Sequence, residues 1–151
     1  MSVASQQHEL VELFGAIPDP QERLSVMTEW SKRIPRLPVS ARTAENRVPG
    51  CVSPVWVATE RLPQGHFRVQ ADAESSVVRA LACAVAAIYD GAEGAEIIAT
   101  EPALLDLLGI NASLSYTRRH GLIAVRHRIR ESVRAASTAT AAQSAPRSSA
   151  S

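Results

Sequence analysis

Apolar residues recur at helical spacing in three stretches of the chain. Within residues 21–33, Leu24, Met27 and Trp30 fall three residues apart and Ile34 follows, with Pro20 opening the pattern and Pro35 closing it. This predicts an amphipathic helix. The run from Ile34 to Pro38 cannot extend it, because each proline lacks an amide donor and biases the preceding residue toward extended geometry. Across residues 74–90, Val77, Val78, Leu81, Val85, Ile88 and Tyr89 form one apolar stripe, with Asp72 placed to cap the start and Gly91 and Gly94 ending it. That helix is expected to be central and buried. Two short helical pieces, residues 95–99 and 102–108, come next, the second stopped by Gly109. The third long helix takes Ser115 or Thr117 as its cap and carries Leu122, Val125, Ile129 and Val133 at helical spacing. Its Arg126, Arg128, Arg130 and Arg134 occupy the other faces and are expected to be solvated.

Between the first two helices the period changes to two. Residues 46–48 and 52–59 read as strands about a Pro49-Gly50 turn, with Val55 and Val57 alternating with Trp56 and Ala58. Gln64-Gly65 marks a turn, and residues 66–70 alternate again. About three antiparallel strands result, with one face to be covered by the flanking helices, so the fold class is α+β. Residues 137–151 hold no large apolar side chain and read as a disordered Ala/Ser/Thr-rich tail after a domain of residues 1–136.

Composition narrows the function. The 151 residues, 46% of them hydrophobic, suffice for one core, and 16 basic against 15 acidic residues leave a charge of +1. That balance argues against nucleic acid or a membrane surface as the main partner. No apolar run reaches membrane-spanning length and the first residues lack the order of a signal peptide, so a cytoplasmic protein is expected. The two cysteines, Cys51 and Cys83, are then expected to be free thiols. Cys83 lies in an apolar helical stretch and reads as packing.

Cys51 is the reactive candidate, because Pro49 and Gly50 place it at a loop tip before the Val55-Trp56-Val57 strand, where a sulfur is reachable. No glycine-rich loop stands between a strand and a helix, so no nucleotide site is supported. His8, His66, His120 and His127 are scattered, and no second cysteine lies at ligand spacing from Cys51, so no metal site is expected. A cysteine hydrolase would need His66 or His120 as base, and the strand after Cys51 is not the helix start that lowers a catalytic thiol's pKa. An exposed thiolate that takes up and passes on sulfur needs neither base nor metal, and Arg118 and Arg119 supply charge if the last helix approaches it.

Asn46-Arg47-Val48-Pro49-Gly50-Cys51-x-Ser53-x-Val55-Trp56 resembles the signature of the SufE family of sulfur acceptor proteins. Leu37-Pro38 upstream, Asp72 ahead of Val78-Arg79-x-Leu81, and Leu114-Ser115-x-Thr117-Arg118-x-x-Gly121-Leu122 downstream agree in order and spacing. The resemblance implies that Cys51 accepts sulfur from a persulfide on a cysteine desulfurase and delivers it to an iron-sulfur scaffold or other sulfur acceptor. It implies no cofactor on this chain, pyridoxal phosphate belonging to the desulfurase, and a fold similar to IscU-like scaffolds. Gly50 and Ser53 then shape the cysteine loop, while Asp72 and Arg118 support it; Arg42 and Glu45 are candidates for docking. Val52, Pro54, Ala73-Glu74, Tyr116 and His120 depart from the family's usual residues. The loop is expected to tuck Cys51 partly against apolar neighbours, protecting it from oxidation. A monomer and a homodimer both remain open, as does a non-catalytic role in which the protein only docks on and activates the desulfurase.

Overall fold

The computed structural model describes residues 2–144, with side chains described to residue 138. Helix α1 (Val3–Gly15) starts at a capping box in which Ser2 and Ser5 satisfy each other's backbone N–H groups. The sequence pattern does not announce this helix. Val3 and Phe14 are buried and Leu10 and Val11 half-buried, but Gln6 and Gln7 interrupt the stripe. Both amides are used for hydrogen bonds: Gln6 Nε2 donates to the Ile88 carbonyl at 3.0 Å, and Gln7 Oε1 accepts from the Ala103 N–H at 2.8 Å. Helix α2 (Pro20–Ser31) begins as expected, with Asp19 accepting from the Gln21 N–H and proline at its first position. Its Trp30 meets Phe14 edge to face at 5.4 Å, joining α1 to α2.

Strands β1 (Val55–Arg61) and β2 (Phe67–Ala73) pair antiparallel, from Val55 opposite Ala73 to Arg61 opposite Phe67. A short 3-10 turn joins them, with Gln64 and Gly65 both at positive φ. The α+β class holds, but the sheet has two strands among the described residues rather than about three. Residues 46–48 make only an isolated bridge, Arg47 to Trp56. The hydrogen bonds Val48 N–H to Val55 O and Val57 N–H to Asn46 O, both 2.8 Å, hold the segment beside β1. Pro49 cannot extend the ladder, and at the other end Asn46 is drawn into a turn by Thr43 Oγ1 and by its own bond to the Ala41 carbonyl.

Val55, Val57, Phe67, Val69 and Ala71 turn toward the core. Helix α3 (Ser76–Tyr89) crosses behind β2, buried without interruption from Arg79 to Ala86, and packs also against α1, α2 and the last helix. Its alanines at 80, 82, 84 and 86 permit this close approach on several sides. Helices α4 (Gly94–Ala99) and α5 (Leu104–Leu107) are shorter than the pattern suggests for α5, and α6 (Tyr116–Ser144) follows Ser115, whose hydroxyl accepts from the Arg118 N–H at 3.2 Å. The backbone of α6 continues into the tail that composition sets apart, and residues 145–151 of that tail lie outside the described residues.

The arginines of α6 are not one solvated face. Arg126 is buried, with its guanidinium 4.7 Å from the Tyr89 ring centroid and a 3.2 Å bond to the Ile98 carbonyl. Arg130 pairs with Glu101, Arg128 donates to the Glu45 carbonyl, and Arg134 alone is exposed, beside Glu131.

Close packing at Gly94 gives a direct test of the core. A Cβ there would lie 2.9 Å from a carbon of the buried Phe67 ring. Gly94→Ala is therefore expected to cost about 1–3 kcal/mol, the range for overpacking, in urea unfolding. An unchanged midpoint would mean that the ring yields freely.

Candidate functional site

The Cys51 loop is a short excursion closed at both ends. The Val48 to Val55 bond forms its base, and the Glu74 N–H donates to the Pro54 carbonyl at 3.2 Å, tying the returning arm to the end of β2. Gly50 adopts φ 80°, a left-handed conformation that disfavours any side chain and turns the chain at the tip. The tip then exposes Val52, at 87% of its surface, while Cys51 beside it is half-buried and packs on the core.

Cys51 lines a cavity of about 280 Å³. Val55, Val78, Leu81, Leu122 and Val125 supply its apolar wall, and Ser53, Ser75, Ser115, Thr117 and Arg118 supply polar groups. Two of these, Ser75 and Ser115, are the residues that cap α3 and α6, so the starts of both helices border the space. A helix start does therefore meet the cysteine, but across the fold, through α6, and not through the residues that follow Cys51 in the chain. Gly121 of α6 faces the sulfur directly: a Cβ at this position would stand 3.7 Å from Cys51 Sγ.

Burial pushes the Cys51 thiol above its ordinary pKa, and the positive charge of the exposed Arg47 works against that rise. The helpful cation is thus Arg47, which sequence reasoning did not single out, although its position beside the loop in Asn46-Arg47-Val48 was visible. Arg118 lines the cavity and is exposed. Cys83 is different in kind. It is buried, its thiol contacts the Ala71 carbonyl at 3.4 Å, and burial pushes it up to about 11. Its thiolate fraction at neutral pH is then about a hundredth of an ordinary thiol's. Alkylation with iodoacetamide is expected to label Cys51 and leave Cys83 unlabelled until the protein unfolds. Arg47→Gln should shift the Cys51 rate profile toward higher pH; an unshifted profile would remove Arg47 from this role.

Asp72 does not cap α3; Ser75 does. Asp72 sits inside β2 opposite Trp56, because the strand runs on to Ala73, and its carboxylate is fully buried. Burial alone would raise its pKa, but the Arg79 hydrogen bond, the N–H groups of Ala73 and Leu37, and the charge of Arg36 outweigh burial and lower it. Asp72 does not line the Cys51 cavity. Its support is indirect, fixing the end of β2 whose next residue, Glu74, holds the loop at Pro54.

The two candidate bases lie elsewhere. His66 Nδ1 is 2.8 Å from the Gly91 carbonyl, with Glu93 on its other nitrogen at 4.0 Å. His120 stacks on Tyr116 and lines a separate cavity on the other flank of α6. Arg42 lies over the Trp56 ring at 5.9 Å, and Glu45 is held through its carbonyl by Arg128; neither lines the Cys51 cavity.

Residues 8–133 match the family described as SufE, the Fe-S metabolism associated domain. The chain belongs to the SufE family. An uncharacterized SufE-like protein of Rhizobium etli is 31% identical over 82% of this chain and 86% of its own length. A chloroplastic/mitochondrial SufE-like protein of Arabidopsis thaliana is also 31% identical over 76% of this chain, which spans only 31% of that longer protein. Among solved structures, a hypothetical protein from Thermus thermophilus shares the fold with a TM-score of 0.71 at 23% identity, covering 88% of this chain and 96% of the other. Membership ties the chain to iron-sulfur metabolism. No helix among the described residues is long and apolar enough to cross a membrane.

Proposed function

We propose that this SufE-family chain is a sulfur carrier whose Cys51 attacks the terminal sulfur of a persulfide on a cysteine desulfurase and passes that sulfur toward iron-sulfur cluster assembly. The Cys51 thiolate forms a bond to the outer sulfur, the donor's S–S bond breaks, and the donor cysteine leaves as a thiolate, so no external oxidant or reductant is required. Pyridoxal phosphate acts on the desulfurase, this chain supplying only the thiol. The acceptor is an iron-sulfur scaffold or another sulfur acceptor, and the exchange takes place in the cytoplasm, where thiols stay reduced.

One observation carries this reading: Cys51 stands at a loop tip and lines a cavity bordered by hydroxyls and Arg118, with no histidine or carboxylate in its lining among the described residues. A hydrolase would need a base there; a carrier needs a nucleophile that reaches out and a place to withdraw to. Val52 beside it gives the tip an apolar contact for the desulfurase.

Desulfurase turnover with cysteine as substrate, measured with and without this protein, separates carrier from activator. The carrier role predicts that stimulation is lost in Cys51→Ala. Full stimulation by that variant would make the protein a docking activator instead.

A further inference from the structure

We infer that the cavity beside Cys51 binds a small thiol bearing a carboxylate and that this thiol is a direct acceptor of sulfur held on Cys51. The inference rests on the carrier reading above and names a second class of substrate for the same site.

Its ground is a mismatch of size. The cavity measures about 280 Å³, whereas an added sulfur is an atom of roughly water size, about 30 Å³ in liquid packing. Sheltering one sulfur leaves most of the space for something else. The walls say what suits it. Val78, Leu81 and Val125 offer room for a short apolar body, Ser75 and Thr117 offer hydroxyls, and Arg118 is the one charged residue of the lining among the described residues. With no carboxylate beside it among the described lining residues, its guanidinium favours a single anionic group, and a carboxylate matches its paired donors. An ammonium group would meet like charge. Gly121 stands against Cys51 Sγ without adding side-chain bulk there, a Cβ at that position lying 3.7 Å from the sulfur.

The step balances without a further reagent. The small thiolate attacks the outer sulfur of the Cys51 persulfide, a new S–S bond forms on the small molecule, and the bond to Cys51 breaks. The outer sulfur keeps its proton, and the electron pair leaves on Cys51 Sγ as thiolate.

The test uses the full chain, loaded on Cys51 with inorganic polysulfide so that no desulfurase is needed. Loss of the added sulfur is followed by mass spectrometry with 3-mercaptopropionate, 2-mercaptoethanol or cysteamine, each rate corrected for thiolate fraction. 3-Mercaptopropionate is expected to saturate and to react about tenfold or more faster than 2-mercaptoethanol, as one charge-assisted contact provides. Arg118→Gln should bring that ratio close to one. Equal corrected rates for the three thiols, a ratio unchanged in Arg118→Gln, or a Cys51 that polysulfide does not load would each overturn the inference. A desulfurase that fails to load Cys51 would instead count against the carrier reading alone.

Discussion

Asp72→Ala is expected to cost about 3–5 kcal/mol of stability, the range for removing one partner of a buried ion pair. The carboxylate accepts from Arg79 Nε at 2.8 Å and from Arg36 Nη1 at 3.0 Å through one oxygen, and from the Leu37 N–H at 3.1 Å through the other. Arg79 is itself 4% exposed and reaches on to the carbonyls of Ser31, the last residue of α2, and of Ile34 in the segment after it. The pair therefore joins β2, α3, the end of α2 and the extended segment after it. Alanine would leave a buried guanidinium without its counter-charge. The pH dependence follows from the lowered carboxyl pKa. A group depressed in the folded state contributes stability above its unfolded value and loses that contribution as pH falls through the folded value. Wild type should hold this contribution from neutral pH down into the ordinary carboxylate range and lose it below, whereas Asp72→Ala should lack it throughout. Urea unfolding across acid pH measures both; a loss under about 1 kcal/mol at neutral pH, the scale of an exposed pair, would contradict the assignment.

Gly121→Leu is expected to turn the Cys51 loop outward. Glycine inside a helix costs about 1 kcal/mol relative to alanine, so Gly121→Ala should stabilise α6 by about that amount, its Cβ making only an ordinary contact with the sulfur. Leucine extends into the place the sulfur occupies. The Val48 and Pro54 anchors stay, so the arm between them must yield. Cys51 alkylation should then rise on the order of tenfold as the thiol leaves its buried seat. A persulfide on the variant should also oxidise sooner in air. Unchanged alkylation in Gly121→Leu would show that Gly121 does not define the seat.

Much of the architecture was legible in the chain because α2, α3 and α6 each carry an unbroken apolar stripe. Helix α1 was hidden by Gln6 and Gln7, whose polarity masks the buried edge they help to build. The third strand was overread, since two hydrogen bonds beside β1 do not make a strand when proline ends the run. Arg126 looked like a surface residue because charge patterning does not reveal that an aromatic ring such as Tyr89 waits beneath it. At the site, Cys51 and its turn were plain from Pro49 and Gly50. Its surroundings were not, because they come from α3 and α6, far along the chain, and only the fold brings Ser75, Arg118 and Gly121 to the sulfur. The family motif pointed to Asp72 and Arg118, but not to the different ways they act: one anchors the sheet end, the other borders the cavity.

The most direct test of the carrier role is intact-mass and peptide mass spectrometry of the protein after incubation with a cysteine desulfurase and cysteine. One added sulfur on Cys51, absent from Cys83 and lost in Cys51→Ser, is the predicted result. An unmodified Cys51, or added sulfur that persists in Cys51→Ser, would contradict it.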